Sequence, residues 1–171
     1  IFFGDEKTIN THLKTFPHLQ KSSSIVHTEQ VIDPAEKPSV ALRKGKQSSM
    51  GLAINAVKAG QAEAVISAGN TGALMAMAKL ALRTLPGVDR PAITSVFPTR
   101  KGKCVLMDLG ANINCSAENL VQFAVMGDAY AKVILEIPSP TVGLLNVGSE
   151  DSKGSDIVKS AAEELREGEY P

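Results

Sequence analysis

At 171 residues and 18.0 kDa, the chain has the length of one domain or one large lobe. Eighteen Lys and Arg balance eighteen Asp and Glu, and a neutral chain lacks the basic footprint that nucleic acid demands, so no nucleic-acid partner is expected. Hydrophobic residues make up 43%, aromatic residues only 4%, and Trp is absent, which excludes wholesale disorder and predicts an aliphatic core.

In chain order, residues 1–3 read as the end of a strand, so the chain is expected to begin inside a fold. Residues 5–15 read as a polar helix stopped near Pro17, and residues 24–27 as a short strand. Residues 33–46, charged and carrying Pro34 and Pro38, read as loop with one helical turn. A helix then follows Ser48 or Ser49 as N-cap. Its face is Leu52, Ala53, Ala56 and Val57, and Gly60 sits where a C-terminal Gly belongs. Residues 64–67 read as a buried strand. The next helix, 70–85, carries Leu74, Met77, Ala78, Ala81, Leu82 and Leu85 on one stripe, and Pro86-Gly87 ends it.

Two apolar runs, 92–97 and 104–109, flank the basic loop Arg100-Lys101-Gly102-Lys103 and form a hairpin or neighbouring strands. Residues 117–135 give the longest helix pattern. Leu120, Phe123, Ala124, Gly127, Ala131 and Ile134 share its face, and Gly127 leaves room for a close backbone. Residues 142–147 read as a strand. Residues 153–167 read as a final helix with Ile157, Val158, Ala161, Ala162 and Leu165 inward. Strands alternating with helices predict an α/β fold, a mainly parallel sheet with helices on both faces.

Other classes of signal are sparse. Cys104 and Cys115 are too few for a disulfide framework and match no zinc spacing. They read as buried free thiols of a reducing compartment. The longest uncharged run, 64–78, has 15 residues and contains Gly69, Asn70, Thr71 and Gly72, short of the roughly 20 apolar residues of a membrane span. His12, His18 and His27 are scattered and read as surface residues. No metal site is expected.

In a parallel α/β sheet, ligands sit beyond the carboxyl ends of the strands. Three strand-to-helix corners carry polar residues there. In the first, Gly69 and Gly72 let the backbone approach an anion, while Ser67, Asn70, Thr71 and the helix-start amides supply donors. The same residues also suit a capped, tightly packed helix start, and the string is neither a P-loop nor a dinucleotide fingerprint. In the second, Asp108 either orients a donor or caps a turn, with Asn112 close behind. In the third, Asn146 leads to Lys153 at an expected helix start. There its charge opposes the helix dipole unless Glu150 and Asp151, or a bound anion, offset it. Ser48 and Ser49, just after Lys44 and Lys46, make a further corner that serves as an anion site or as a cap.

The strings SAGNTGALM at 67–75, LPGVDRPA at 85–92, MDLGAN at 107–112 and VGLLNVGSEDSKG at 142–154 resemble the PlsX family, the phosphate acyltransferases of bacterial phospholipid synthesis. SSM at 48–50 and QFAVMG at 122–127 fit as well. The resemblance covers essentially the whole chain in order. It implies a fold similar to isocitrate dehydrogenase and phosphate acetyltransferase, with the site in a cleft. The implied activity moves a fatty acyl group from acyl carrier protein to inorganic phosphate. The acyl phosphate then supplies a membrane glycerol-3-phosphate acyltransferase. A homodimer is implied, cytoplasmic and working peripherally at the inner membrane face, with no metal or organic cofactor. Relative to that family, the chain lacks the opening Asp-Ala-Met-Gly-Gly-Asp strand and the C-terminal third. Residues 1–171 are therefore expected to be a single incomplete α/β domain, the central part of a longer family chain.

On this resemblance, phosphate is expected at Ser67, Gly69, Asn70, Thr71 and Gly72, with Ser49. Lys153 and Asn70 are expected to be catalytic, with Asp108, Asn112 and Asn146 around the cleft. Phosphate is already an anionic nucleophile, so the protein must relieve charge repulsion, align phosphate with the carbonyl and stabilise the oxyanion. An acidic carrier calls for a basic dock, for which Arg43, Lys44 and Lys46, or Arg100, Lys101 and Lys103, are the candidates. These are also what ordinary solvated surface looks like. Other readings are a phosphotransacetylase-like enzyme using acyl-CoA and a non-catalytic scaffold at the membrane. A metal-dependent dehydrogenase of the isocitrate type would require clustered Asp ligands and nucleotide contacts that the sequence does not offer.

Overall fold

The computed structural model describes residues 1–150, 153–168 and 170. The chain divides into two compact units, Ile1–Thr84 and Leu85–Pro171.

In the first unit, strand β1 (Phe2–Gly4) leads into helix α1 (Glu6–Leu13) and a short helix α2 (Pro17–Ser22). Asp5 caps α1 by accepting from the Thr8 amide at 2.8 Å. The Thr8 hydroxyl and that amide, both donating to it, hold the Asp5 carboxyl below its ordinary pKa. β2 (Ile25–His27) pairs with β1 in parallel, Phe2 opposite Ile25. Helix α3 (Pro38–Lys44) starts with Pro at its first position, where a missing N–H costs nothing. A 3-10 turn, Gly45–Gln47, joins it to α4 (Ser49–Lys58). Ser48 is the N-cap of α4: its hydroxyl accepts from the Gly51 amide and donates to the Gly45 carbonyl. A side chain at Gly51 would collide with that same carbonyl. Gly60 has φ +71°, and the amides of Gly60 and Gln61 close the helix end on Val57 and Ala56.

α5 (Thr71–Leu82) completes the unit and packs on both α3 and α4. The core comprises Ile32, Ala41, Met50, Ile54, Ala73 and Met77, with Leu42, Val65, Leu74, Ala78 and Ala81 against it. The inward face of α4 is therefore centred on Met50 and Ile54, one helical turn apart, rather than on Leu52 and Ala53, which are half-buried. Leu82 and Leu85, expected on the core stripe, are exposed, because α5 ends at Leu82 with Arg83 at positive φ.

In the second unit, β3 (Thr94–Thr99) and β4 (Gly102–Met107) form an antiparallel hairpin, from Thr94 opposite Met107 to Thr99 opposite Gly102. Gly102 sits at φ +142°, a conformation that favours glycine. Ser116 opens α6 (Ala117–Ile134) with a capping box closed by Asn119. Ser155 caps α7 (Asp156–Glu167), which packs on α6. Val121, Phe123, Ala131 and Ala161 are buried here. Among the described residues, a Cβ at Gly127 would meet nothing within 4 Å, and Ile134 is exposed, so none of them makes the expected close backbone approach.

The α/β class holds, but its sheets are small. The described residues form one parallel and one antiparallel pair of strands. Residues 64–67 and 142–147, expected as strands, are not strands. Both are apolar, and Ile66, Leu145 and Val147 are each more than 85% exposed. A strand exists only where a second backbone accepts and donates its hydrogen bonds. Among the described residues, no backbone hydrogen bond joins either segment to another.

Candidate functional site

The residues expected at the site fall into two groups, one in each unit. In the first unit, the corner before α5 is built by close approach. A Cβ at Gly69 would lie 3.3 Å from the Met50 methyl, and one at Gly72 would lie 3.2 Å from Pro38 Cγ. Glycine at both positions lets the start of α5 lie against the starts of α3 and α4. Ser67 Oγ accepts from the Gly69 amide at 3.2 Å. Asn70 is the N-cap: its Oδ1 accepts from the Ala73 amide at 2.9 Å. Its Nδ2 faces three carbonyl oxygens, those of Asp33 at 3.2 Å, Pro34 at 3.1 Å and Glu36 at 2.8 Å. Asn70 thereby ties the 33–36 loop to the helix start. The amides of Thr71 and Gly72 have no partner among the described residues, so the corner presents two unused donors at the positive end of a twelve-residue helix. Ser49 is the first residue of α4, and its amide donates to the Gln30 carbonyl at 2.9 Å.

In the second unit, Asp108 and Asn112 hold one turn. Asp108 accepts from the Ile93 and Asn112 amides, each at 2.7 Å, and from Asn112 Nδ2 at 3.1 Å. Asn112 Nδ2 also donates to the Pro91 carbonyl at 2.9 Å. The Asp108 carboxylate thus folds residues 108–112 back onto residues 91–93.

Asn146 and Lys153 belong to a different feature. They line a cleft of about 920 Å³, walled by α6, α7 and the 140–150 segment. Asn146 Oδ1 accepts from the Val147 amide at 2.8 Å, and its Nδ2 donates to the Lys153 carbonyl at 3.2 Å. Gly154, at φ +95°, lies so close to the Asn146 amide that a Cβ would come within 2.6 Å of Oδ1. The Lys153 backbone is therefore held at its carbonyl by Asn146 and at its amide, which donates to the Glu150 carbonyl at 2.9 Å. Lys153 does not begin the helix, as the sequence reading had it. The N-cap is Ser155, so the dipole argument for an offsetting anion does not apply to Lys153. Asp151 lies outside the described residues.

Sequence reasoning missed four charged residues lining the same cleft, Asp128, Lys159, Glu163 and Arg166. Asp128 is buried and pairs with Lys132 at 2.8 Å. Lys159 and Arg166 stand seven residues apart, two turns along α7. That spacing on a strongly amphipathic helix was the available signal. Among the described residues, no three His, Cys, Asp or Glu side chains gather as a metal site, and no helix is long and apolar enough to cross a membrane. Cys104 is exposed and Cys115 half-buried, rather than both buried. Cys104 sits opposite Phe97 near the tip of the β3–β4 hairpin, where residues 97–104 are all exposed.

Comparison with known proteins agrees across the full length. Three curated relatives are each named phosphate acyltransferase. That of Rhodospirillum centenum is 57% identical over 166 residues, covering 97% of this chain and 47% of the relative. That of Paramagnetospirillum magneticum is 52% identical over 171 residues, 100% of this chain and 49% of the relative. That of Parvibaculum lavamentivorans is 52% identical over 172 residues, 100% and 48%. The chain thus spans about half the length of the curated relatives it matches. A family profile described as "Fatty acid synthesis protein" matches residues 1–171, and the chain belongs to that family.

Proposed function

We propose that the protein carrying these residues is a phosphate acyltransferase that moves a fatty acyl group from acyl carrier protein to inorganic phosphate. The observation that carries this reading is the match, over essentially all of the chain, to relatives bearing the name phosphate acyltransferase at 52–57% identity. In the reaction, a phosphate oxygen attacks the thioester carbonyl, the C–O bond forms, and the C–S bond breaks. The carrier thiolate leaves and takes up a proton.

Phosphate is held by the Ser67–Gly72 corner. The free amides of Thr71 and Gly72 and the hydroxyls of Ser67, Thr71 and Ser49 are the donors. Gly69 belongs to the corner by letting its backbone lie against Met50 of α4. Asn70 acts as a positioning residue, because its amide is taken up by the helix cap and the 33–36 loop. Lys153, in the VGSEDSKG string, is the candidate cation for the charge that develops in the reaction. Asn146 fixes the backbone that presents it, while Asp108 and Asn112 hold the 108–112 turn onto residues 91–93. The reading extends to a homodimer, cytoplasmic and peripheral at the inner membrane face, feeding a membrane glycerol-3-phosphate acyltransferase. It also extends to a mainly parallel sheet of the isocitrate dehydrogenase and phosphate acetyltransferase type.

The test is direct. The protein as its cell makes it is incubated with acyl carrier thioester and phosphate, and acyl phosphate is trapped with hydroxylamine. Phosphate-dependent hydroxamate is the expected result. Product from acyl-CoA alone would favour a phosphotransacetylase-like donor choice, and no product from either donor would leave a scaffold.

A further inference from the structure

Three cations crowd one end of an element that offers them no counter-charge. Every residue from 97 to 104 on the β3–β4 hairpin is exposed, while residues 105–107 are half-buried and β4 packs on α6. The hairpin is anchored at its base and its tip projects into solvent. The tip carries Arg100 and Lys101 in the turn and Lys103 opposite Pro98. Residues 94–107 contain no Asp or Glu, yet residues 85–171 carry twelve acids against eight Lys and Arg. None of the three cations forms an ion pair among the described residues. Like charges held together repel one another, so the cluster costs the isolated protein something and gains nothing locally. Arg43 and Lys44 differ here: they occupy the last turn of α3, where they offset the helix dipole. Phe97, 45% exposed beside the tip, adds an apolar contact.

We propose that the β3–β4 hairpin tip docks an acidic protein surface through Arg100, Lys101 and Lys103. The partner's identity rests on the reaction proposed above: it is the carrier that delivers the acyl group. A protein suits the tip better than a lipid surface, since three cations fall short of the roughly four to eight that mark anionic-lipid binding. Nucleic acid is disfavoured by the neutral chain.

The test uses the protein as its cell makes it, with R100E/K101E/K103E as the variant. All three positions are exposed, and circular dichroism and melting verify folding. Binding of acyl carrier protein is measured from 50 to 300 mM NaCl. Wild-type affinity should fall with salt, and the variant should bind at least about tenfold more weakly with a flatter salt dependence. R100K should bind like wild type. Activity is read in parallel with the carrier thioester and with an acyl-pantetheine thioester. A raised KM for the carrier only supports docking at the tip. Wild-type carrier affinity in the charge-reversed protein overturns the docking site and leaves the reaction standing. Failure of wild type to form acyl phosphate from either donor overturns the reaction, and the carrier affinities then decide the dock alone. Loss of phosphatidylglycerol vesicle binding or of oligomer mass, with carrier affinity intact, assigns the tip to a membrane or to a second copy and overturns the proposal.

Discussion

Asn70 and Lys153 are both polar residues just ahead of a helix, but their surroundings separate them. The Asn70 amide is held at both ends, accepting from the Ala73 amide and donating to the 33–36 carbonyls. Replacing it with alanine removes a cap and leaves a part-buried carbonyl without its donor. Asn70→Ala should therefore lower stability by about 1–3 kcal/mol, read from urea midpoints. Asn70→Asp keeps the cap but sets a carboxylate against three carbonyl oxygens, and should also be destabilising. An unchanged midpoint for Asn70→Ala would mean that the 33–36 loop is held by something else. Lys153 is exposed, and its side chain forms no ion pair among the described residues. Lys153→Ala should leave the urea midpoint in place and lower acyl phosphate formation by about 10²- to 10³-fold. A near-wild-type rate would remove Lys153 from the mechanism. The two substitutions thus separate a residue that builds the corner from one proposed to act on the reacting groups.

Helices were more legible in the sequence than strands, and the reason is physical. A helix closes its hydrogen bonds within its own segment, so caps and periodicity specify it locally. Ser48, one of the two N-caps expected, caps α4, while Asn70 and Ser116 cap helices that periodicity alone had marked. A strand needs a second backbone that its own sequence does not name. Residues 1–3 and 24–27 found each other, as did the two runs flanking the Arg100–Lys103 loop, whereas 64–67 and 142–147 found no strand partner among the described residues. The chemistry at the corners was legible as residue type but not as occupancy. Nothing in the string announces that Asp108 accepts from Ile93 and Asn112, or that Asn70 reaches back to residues 33–36, since those contacts depend on the tertiary path. The missing strand bonds have a measurable consequence. In hydrogen exchange on the chain, amides of 64–67 and 142–146 should exchange at near-unprotected rates, while the interior of α6 should be protected. Strong protection at 142–146 would show a backbone partner that the described residues do not supply.

Charge is segregated at the scale of the whole chain. Residues 1–84 carry ten Lys and Arg and six Asp and Glu, and residues 85–171 carry eight and twelve. The net charge is zero only because +4 cancels −4, and the sequence pI is about 7.0. A neutral chain has little overall repulsion to keep copies apart, and opposite charges on different segments attract between copies. Apolar attraction also acts, because Ile66, Leu85, Ile113, Leu145 and Val147 are among the exposed large side chains. The two forces respond oppositely to salt. The Debye length falls from about 30 Å at 0.01 M to about 10 Å at 0.1 M, which screens exposed charges without weakening apolar contacts. Kosmotropic salt strengthens apolar association. Light scattering of the chain at pH 7 should therefore drop as NaCl rises from 10 to 150 mM, then climb again in molar ammonium sulfate. Moving to pH 9 at 10 mM salt should also reduce scattering, since net charge then departs from zero. Scattering that only rises with NaCl would assign association to the apolar surface alone.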